Sequence, residues 1–202
     1  MEAGKKIRLT DFEFNRQMFH IFLGLALVLL LKYGFMGDKF ILILVIIGII
    51  LSYLSKKYDI PVIRDLLQKF ERKEDLEKFP GKGIIFYLIG AYVSLVLFPK
   101  EIAMASIMIL AFGDSVSHMF GLHYGKRKHP LSKTKFLEGT IAGFIAGFLG
   151  ALIFLPFLEA FLASLAAMIV EGVEMKIRAE QVDDNLIIPL VAGTVAWLIR
   201  LL

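Results

Sequence analysis

The chain contains no cysteine among its 202 residues, so disulfides, thiolate metal sites and cysteine nucleophiles are excluded. Charged residues are also scarce, at 21% against 57% hydrophobic residues, and the mean hydropathy is +0.72. Because the apolar residues form long runs rather than an amphipathic spacing, a water-soluble globular domain is excluded. Tryptophan occurs once against 18 phenylalanines, so the usual belt of Trp at the membrane interface is nearly absent. The sequence predicts one compact membrane domain over residues 1–202.

Seven apolar segments are predicted to form transmembrane helices, so the expected fold is an all-α, polytopic integral membrane protein. Several segments are shorter than the roughly 20 residues that a straight crossing needs, and polar residues at their ends must then enter the interface. The predicted spans are residues 18–31, 40–54, 83–98, 102–120, 139–155, 158–173 and 186–202.

Basic residues are distributed unequally between the two sides of these spans. Nineteen of the 23 Lys and Arg residues fall on the side of the N-terminus, and four fall on the other side. Because Lys and Arg concentrate in cytoplasmic loops, the N-terminus and the three long loops are expected in the cytoplasm and the C-terminus outside. Residues 61–79 carry an apolar face opposite a charged one, which predicts an interfacial cytoplasmic helix.

Charged side chains within apolar segments are costly in a membrane and therefore mark functional candidates. Asp114 lies in the middle of the fourth predicted span, with Ser117 and His118 three and four residues further on and on the same helix face. Its carboxylate is interpreted as a ligand of Mg²⁺ or a proton acceptor, or else as a buried partner of His118 or a lysine. Glu171 also falls within apolar sequence and needs a partner.

A basic stretch over residues 121–140 follows, and a helix is predicted to begin at Glu138-Gly139-Thr140. Exposed amides at a helix N-terminus, together with lysine and arginine, suit the binding of phosphate groups. Taken alone, the stretch is explained as well by positive-inside topology and by attraction to anionic headgroups. Its place directly after Asp114 favours a polyphosphate site.

Two further polar groups share the predicted cytoplasmic side. Asp183, Asp184 and Asn185 precede the last span. Asp184 or Asn185 is a candidate cap of the final helix, and the group also offers hard oxygen ligands that suit Mg²⁺. Arg16 and His20 lie four residues apart at the mouth of the first span, where they are interpreted as interface anchors or ligand contacts.

Small residues recur every four positions in the fifth span, which predicts a face for close helix packing. They are Gly139, Gly143, Gly147 and Ala151. No Walker-type or kinase-type glycine-rich loop is present in the sequence, so a soluble NTPase mechanism has no support.

Taken together, these motifs resemble the dolichol kinase and phytol kinase family of CTP-dependent membrane lipid kinases. The resemblance covers nearly the whole chain and extends more weakly to membrane phosphatidate cytidylyltransferases. It rests on Gly113-Asp114 with Ser117, Gly121…Tyr124-Gly125-Lys126, Lys135…Glu138-Gly139-Thr140, Asp183-Asp184-Asn185…Pro189 and Arg16…His20. One departure is Phe136, which stands where the family has Ser or Thr after the lysine, so Thr134 is the neighbouring residue that offers a hydroxyl.

The resemblance implies CTP-dependent phosphorylation of a membrane isoprenoid alcohol, of dolichol, polyprenol or phytol type, at the cytoplasmic face of a prokaryotic or archaeal membrane. CTP and the lipid are the implied partners, and no nucleic acid is expected. A phosphatidate cytidylyltransferase is the alternative, and a small membrane transporter or scaffold is a second one.

The same resemblance assigns residues to roles. Lys135 would bind the triphosphate, and Glu138 would fix a lysine or the metal. The implied catalytic residues are Asp114, Lys135 and Asp184, and the implied Mg²⁺ ligands are Asp114, Asp183 and Asp184. The implied nucleotide contacts are Gly113, Lys126, Lys133, Thr134, Glu138, Gly139, Thr140 and Asn185, and the implied lipid contacts are Arg16, His20 and His118.

Overall fold

A computed structural model describes residues 10–132, 134–173, 176–177 and 180–202 of the protein. The described chain is helical apart from a hairpin of two-residue strands, so the all-α class is confirmed. The helices are α1 (Asp11–Lys32), α2 (Asp38–Lys57), α3 (Pro61–Phe70), α4 (Lys73–Lys78), α5 (Lys82–Leu97), α6 (Lys100–Met108), α7 (Ser115–Tyr124), α8 (Leu137–Ala151), α9 (Phe157–Glu171) and α10 (Asp184–Arg200). A π-helical segment, Ile109–Asp114, joins α6 to α7, and the strands are β1 (Lys176–Ile177) and β2 (Glu180–Gln181), paired antiparallel.

Six of the seven predicted spans each fall on one helix, and the fourth falls on the run from α6 through the π-helical segment to α7. The largest difference in an end is at α1, which begins at Asp11 rather than at residue 18. Three helical runs of the described chain are long and apolar enough to cross a membrane: Asp11–Lys32, Asp38–Lys57 and Lys100–Tyr124. The helices α5 and α8 are apolar but shorter. The fifth predicted span was expected to reach residue 155, but α8 ends at Ala151 in a turn.

The region predicted as one interfacial helix over residues 61–79 consists of two helices instead. The chain is extended at Glu71 and Arg72, between α3 and α4. Glu71 turns inward at this break and accepts a hydrogen bond from the backbone N–H of Gly83 at 3.2 Å. The break therefore interrupts the helix and allows a hydrogen bond to the N-terminus of α5. Helix α3 has no buried residue, and Phe70 at its end stacks on Phe19 of α1.

The inner core is formed where α6, the π-helical segment and α10 are surrounded by the other helices. Helix α8 packs on the π-helical segment and α7 through its glycines, which confirms the predicted packing face. A Cβ on Gly143 would lie 2.5 Å from the carbonyl oxygen of Gly113. The two backbones therefore touch, and the π-helical segment is held against α8 without intervening side chains.

Helix α2 lies at the periphery and packs on α5. Its side chains Ile43, Ile46 and Ile50 are about half exposed, at 51%, 49% and 51%. A row of exposed isoleucines along a 20-residue helix suits contact with lipid tails rather than with water.

Candidate active site

A cavity of about 450 Å³ lies where α1, the α3–α4 break, α7 and the start of α10 meet. Most of the predicted site residues reach its wall, although they come from four separate parts of the sequence. Those on the wall are Arg16, His20, Asp114, His118, Thr134, Lys135, Asp183, Asp184 and Asn185. The structure thus brings the N-terminal, central and C-terminal motifs to one place.

Asp114 is the last residue of the π-helical segment. Such segments add a residue to a helical turn and often occur at functional sites, because they change the direction of the side chains that follow. The neighbouring Gly113 is buried against α8, where Gly143 packs on its carbonyl group. Close packing on one side of the segment therefore fixes the position of the Asp114 carboxylate on the other.

Three carboxylates converge in the cavity: Asp114, Glu171 at the end of α9 and Asp184 at the start of α10. One oxygen atom from each lies within 4.8 Å of the others. Glu171 is buried, and the other two are partly buried. Carboxylate oxygens at this spacing are ligands of the type that Mg²⁺ takes in proteins. These three residues are called the acidic triad below.

Lys135 reaches into the acidic triad from the loop between α7 and α8. Its Nζ lies 2.8 Å from Oε1 of Glu171 and 2.9 Å from Oδ2 of Asp184, and it also donates to the backbone carbonyl of Glu171. Burial by itself lowers the pKa of Lys135, but the charges of Glu171 and Asp184 outweigh that effect and raise the pKa above its ordinary value. The ammonium group therefore stays charged and offsets part of the negative charge of the triad.

Asp183, which is predicted to be a metal ligand, lies on the cavity wall at the N-terminus of α10. It is the N-cap of α10, and its Oδ1 accepts hydrogen bonds from the backbone N–H and the side-chain amide of Asn185, at 3.1 and 2.8 Å. Burial raises the pKa of Asp183 above its ordinary value. Among the described residues, the structure groups Glu171 rather than Asp183 with the other two carboxylates. The cap itself was expected at Asp184 or Asn185 and lies one residue earlier.

Glu138 closes the base of the loop between α7 and α8. Its carboxylate accepts hydrogen bonds from the backbone N–H groups of Lys126 and Arg127, at 3.2 Å. This contact differs from the expected one with a lysine side chain or the metal. Phe136 packs against Gly125 and lies under the ammonium group of Lys128, 4.0 Å from the ring centre. The aromatic ring of Phe136 thus helps to hold the loop.

Several predicted nucleotide contacts lie away from the cavity wall. Lys126 is exposed, and Gly139 faces α7, where a Cβ would lie 2.5 Å from the carbonyl oxygen of Ser117. Gly113, Glu138 and Thr140 also do not line the cavity. Lys133, a further predicted contact, lies outside the residues that the structure describes.

Glu13 is a residue that sequence reasoning missed. Its Oε2 lies 2.9 Å from Nη2 of Arg16 and 3.0 Å from Nε2 of His118, and its Oε1 lies 3.5 Å from Nε of Arg72. It therefore holds two of the predicted lipid contacts in place at the cavity wall. Its spacing of three residues from Arg16 indicates a helical ion pair, but nothing in the sequence indicates the contact with His118.

Comparison with known proteins yields relatives from archaea, yeast and plants. The chain is 34% identical to an uncharacterized protein of Methanocaldococcus jannaschii, over 90% of this chain and 91% of that protein. It is 31% identical to the CTP-dependent diacylglycerol kinase 1 of Schizosaccharomyces pombe, over 61% and 62% of the two chains. It is 26% identical to the chloroplastic farnesol kinase of Arabidopsis thaliana, over 98% and 69%. The match therefore spans somewhat less than two thirds of the yeast kinase. No family model and no solved structure matches the chain.

Proposed function

Since the chain belongs to the CTP-dependent family of diacylglycerol, farnesol and phytol kinases, we propose that it phosphorylates a membrane isoprenoid alcohol with CTP. In this reaction the bond between the β- and γ-phosphates of CTP breaks and CDP leaves. A new bond forms between the γ-phosphorus and the oxygen of the lipid, whose hydroxyl proton passes to a carboxylate.

One observation carries this proposal: the acidic triad and Lys135 meet in a single cavity. Phosphoryl transfer depends mainly on positioning and on neutralising the charge of the phosphate oxygens. The cavity offers carboxylates for a metal ion and an ammonium group beside them, within a largely apolar helical domain. It also receives residues from the basic loops that follow α3 and α7.

A divalent cation fits the donor set of the cavity. The three carboxylates are hard oxygen ligands, and one oxygen of each lies within 4.8 Å of the others. We therefore assign Mg²⁺ to Asp114, Glu171 and Asp184. When bound, Mg²⁺ neutralises the phosphate oxygens and helps to align them for transfer.

The chain's own residues supply the remaining functions. Lys135 is proposed to bind the triphosphate, because its charged ammonium group already lies among the triad carboxylates. Either Asp114 or Asp184 is proposed to take the hydroxyl proton. Arg16 and His118, held by Glu13, are proposed to contact the polar end of the lipid.

The membrane arrangement belongs to the same proposal. All seven apolar segments are proposed to span the membrane as a single domain, with the N-terminus in the cytoplasm and the C-terminus outside. The excess of Lys and Arg on the side of the cavity supports this orientation. CTP would then reach the cavity from the cytoplasm, and the lipid would reach it from the bilayer of a prokaryotic or archaeal cell.

The test uses purified protein with Mg²⁺ and CTP labelled at either the α- or the γ-phosphate. The acceptors are dolichol, polyprenol, phytol, geranylgeraniol, diacylglycerol and phosphatidate. Label from the γ-phosphate on an isoprenoid alcohol supports the proposal. Label from the α-phosphate on phosphatidate identifies a cytidylyltransferase instead, and no transfer to any acceptor contradicts both activities.

Two substitutions test the assigned site within that assay. We expect Asp114→Asn and Glu171→Gln each to lower γ-transfer at least about 100-fold, since each removes a charge from the proposed metal site. The matched control is Asp38→Asn at the start of α2, where the carboxylate is exposed and away from the cavity. Normal turnover by folded Asp114→Asn protein would contradict the site assignment.

A further inference from the structure

Helix α1 packs against the π-helical segment and against α7. Two direct contacts bound the seam between them. At one end, Nε2 of His118 lies 3.0 Å from Oε2 of Glu13. At the other end the helices touch, because a Cβ on Gly24 would lie 2.5 Å from Cβ of Ala111. Helical spacing places Gln17 and His20 between these contacts on α1.

On the opposite side of the seam, Ser115 shares a face of α7 with His118, because it lies three residues before it in the same helix. Ser115 is fully buried and adjoins Asp114 in the chain. The seam therefore leads directly to the proposed reaction centre.

Buried polar atoms without a protein partner gather in this seam. Among the described residues, Oε1 of Gln17, Nδ1 of His20 and Oγ of Ser115 are buried and accept or donate no hydrogen bond. The hydroxyl of Tyr87 on α5 is a fourth such atom. It lies against Gly24, and the Tyr87 ring meets the His20 ring edge-on, with 5.4 Å between their centres.

A group of this kind is unusual, since roughly 90% or more of buried polar groups in folded proteins have a hydrogen-bond partner. Four such atoms in one seam indicate a bound group that both donates and accepts hydrogen bonds. A hydroxyl group does both, and the carboxylate-rich cavity adjoins the seam through Gln17 and His20, which line it.

We propose that this polar seam binds the hydroxyl group of the acceptor lipid, with Tyr87, Ser115 and one of Gln17 and His20 as its hydrogen-bonding partners. The inference rests on the proposed lipid kinase function and adds the place where the acceptor is held. It brings the hydroxyl oxygen to the side of the cavity that carries Asp114. A bound water molecule offers the same hydrogen bonds, so the test must distinguish a lipid hydroxyl from a water molecule.

The test compares Tyr87→Phe with Tyr92→Phe in nanodiscs that contain increasing fractions of geranylgeraniol, its methyl ether or dioleoylglycerol. Tyr92 is on the same helix, and its hydroxyl is not one of the buried atoms that lack a hydrogen-bond partner, which makes it a matched control. In nanodiscs without any of these three compounds, Tyr87→Phe should unfold at the same temperature as the wild type or higher, because it removes a hydroxyl that has no protein partner. Its dissociation constant for the alcohol should rise about tenfold, while that for CTP stays unchanged.

Ser115→Ala serves as the second variant and should show the same selective loss of alcohol binding. The methyl ether, which cannot donate a hydrogen bond, should bind the wild type more weakly than the alcohol. A lower unfolding temperature of both variants with unchanged alcohol binding would identify a structural water and overturn the proposal. Failure of the wild type to bind either alcohol would also overturn it.

The same proteins separate this inference from the proposed function. Alcohol binding that depends on Tyr87, without transfer of γ-label, would support alcohol binding in the seam and refute the lipid kinase activity. Transfer of γ-label with an unchanged KM for the alcohol in Tyr87→Phe and Ser115→Ala would support the lipid kinase activity and refute alcohol binding in the seam.

Discussion

Glu71 is a buried carboxylate on the wall of the cavity, with 6% of its surface exposed. Burial raises the pKa of Glu71 from 4.5 to about 7, although the N–H of Gly83 donates to its Oε1 and opposes that shift. A carboxylate whose pKa is higher in the folded state than in the unfolded state destabilises the fold when it is ionised. The cost is therefore present above pH 7 and disappears as the pH falls towards 4.5.

We predict that Glu71→Gln raises the unfolding temperature at pH 8 and has much less effect at pH 5. The amide keeps an oxygen for the Gly83 hydrogen bond but carries no charge. The gain at pH 8 should be about 1 kcal/mol after allowance for solvent screening, or about 2–4 °C. Thermal unfolding in detergent at both pH values measures it, with Glu74→Gln, an exposed carboxylate of α4, as the control. Equal effects of Glu71→Gln at the two pH values would show that this carboxylate is not protonated near neutral pH.

The glycine face of α8 determines how closely that helix approaches the π-helical segment. A Cβ on Gly143 would lie 2.5 Å from the Gly113 carbonyl oxygen and 2.7 Å from side-chain atoms of Met168 and Ser117. A Cβ on Gly147, one turn later, would meet its nearest atoms at 3.5 Å, which is ordinary contact. The two glycines therefore differ in function although the sequence pattern treats them alike.

We predict opposite results for the two alanine substitutions on this face. Gly143→Ala should destabilise the protein by about 1–3 kcal/mol and reduce phosphoryl transfer, because α8 must move away from the segment that carries Asp114. Gly147→Ala should be neutral or stabilising by up to about 1 kcal/mol, since alanine favours the helix. Thermal unfolding and the transfer assay measure both variants. A Gly143→Ala protein as stable and active as Gly147→Ala would refute the close packing.

At the scale of the whole molecule, the absence of cysteine allows the proposed membrane orientation to be tested with a single introduced cysteine at a time. Lys69 on α3 and Glu101 at the start of α6 are both exposed and lie at proposed opposite faces. We predict that Lys69→Cys reacts with a membrane-impermeant maleimide only when the cytoplasmic side is accessible. Glu101→Cys should react from outside in intact cells. Labelling of both residues from the same side would contradict the proposed orientation.

Much of the helix layout follows from the sequence, because a run of apolar residues forms a helix in a membrane whatever its neighbours are. The break at Glu71 was not predicted, since it depends on a contact with Gly83 on the next helix. Nothing in the charged stretch around Glu71 distinguishes it from its exposed neighbours. A carboxylate becomes buried there only because the break after α3 meets the start of α5.

The site divides in the same way. The sequence pattern identified Asp114 and Asp184 as chemical candidates, because charge in or beside an apolar segment is costly and must have a reason. The family resemblance added Lys135. Only the tertiary structure placed Glu171 with them and left Asp183 as a helix cap. The physical reason is distance along the chain, since each element's own pattern fixes its helix and its exposed face. Which carboxylates meet is decided by the packing of helices that lie far apart in sequence.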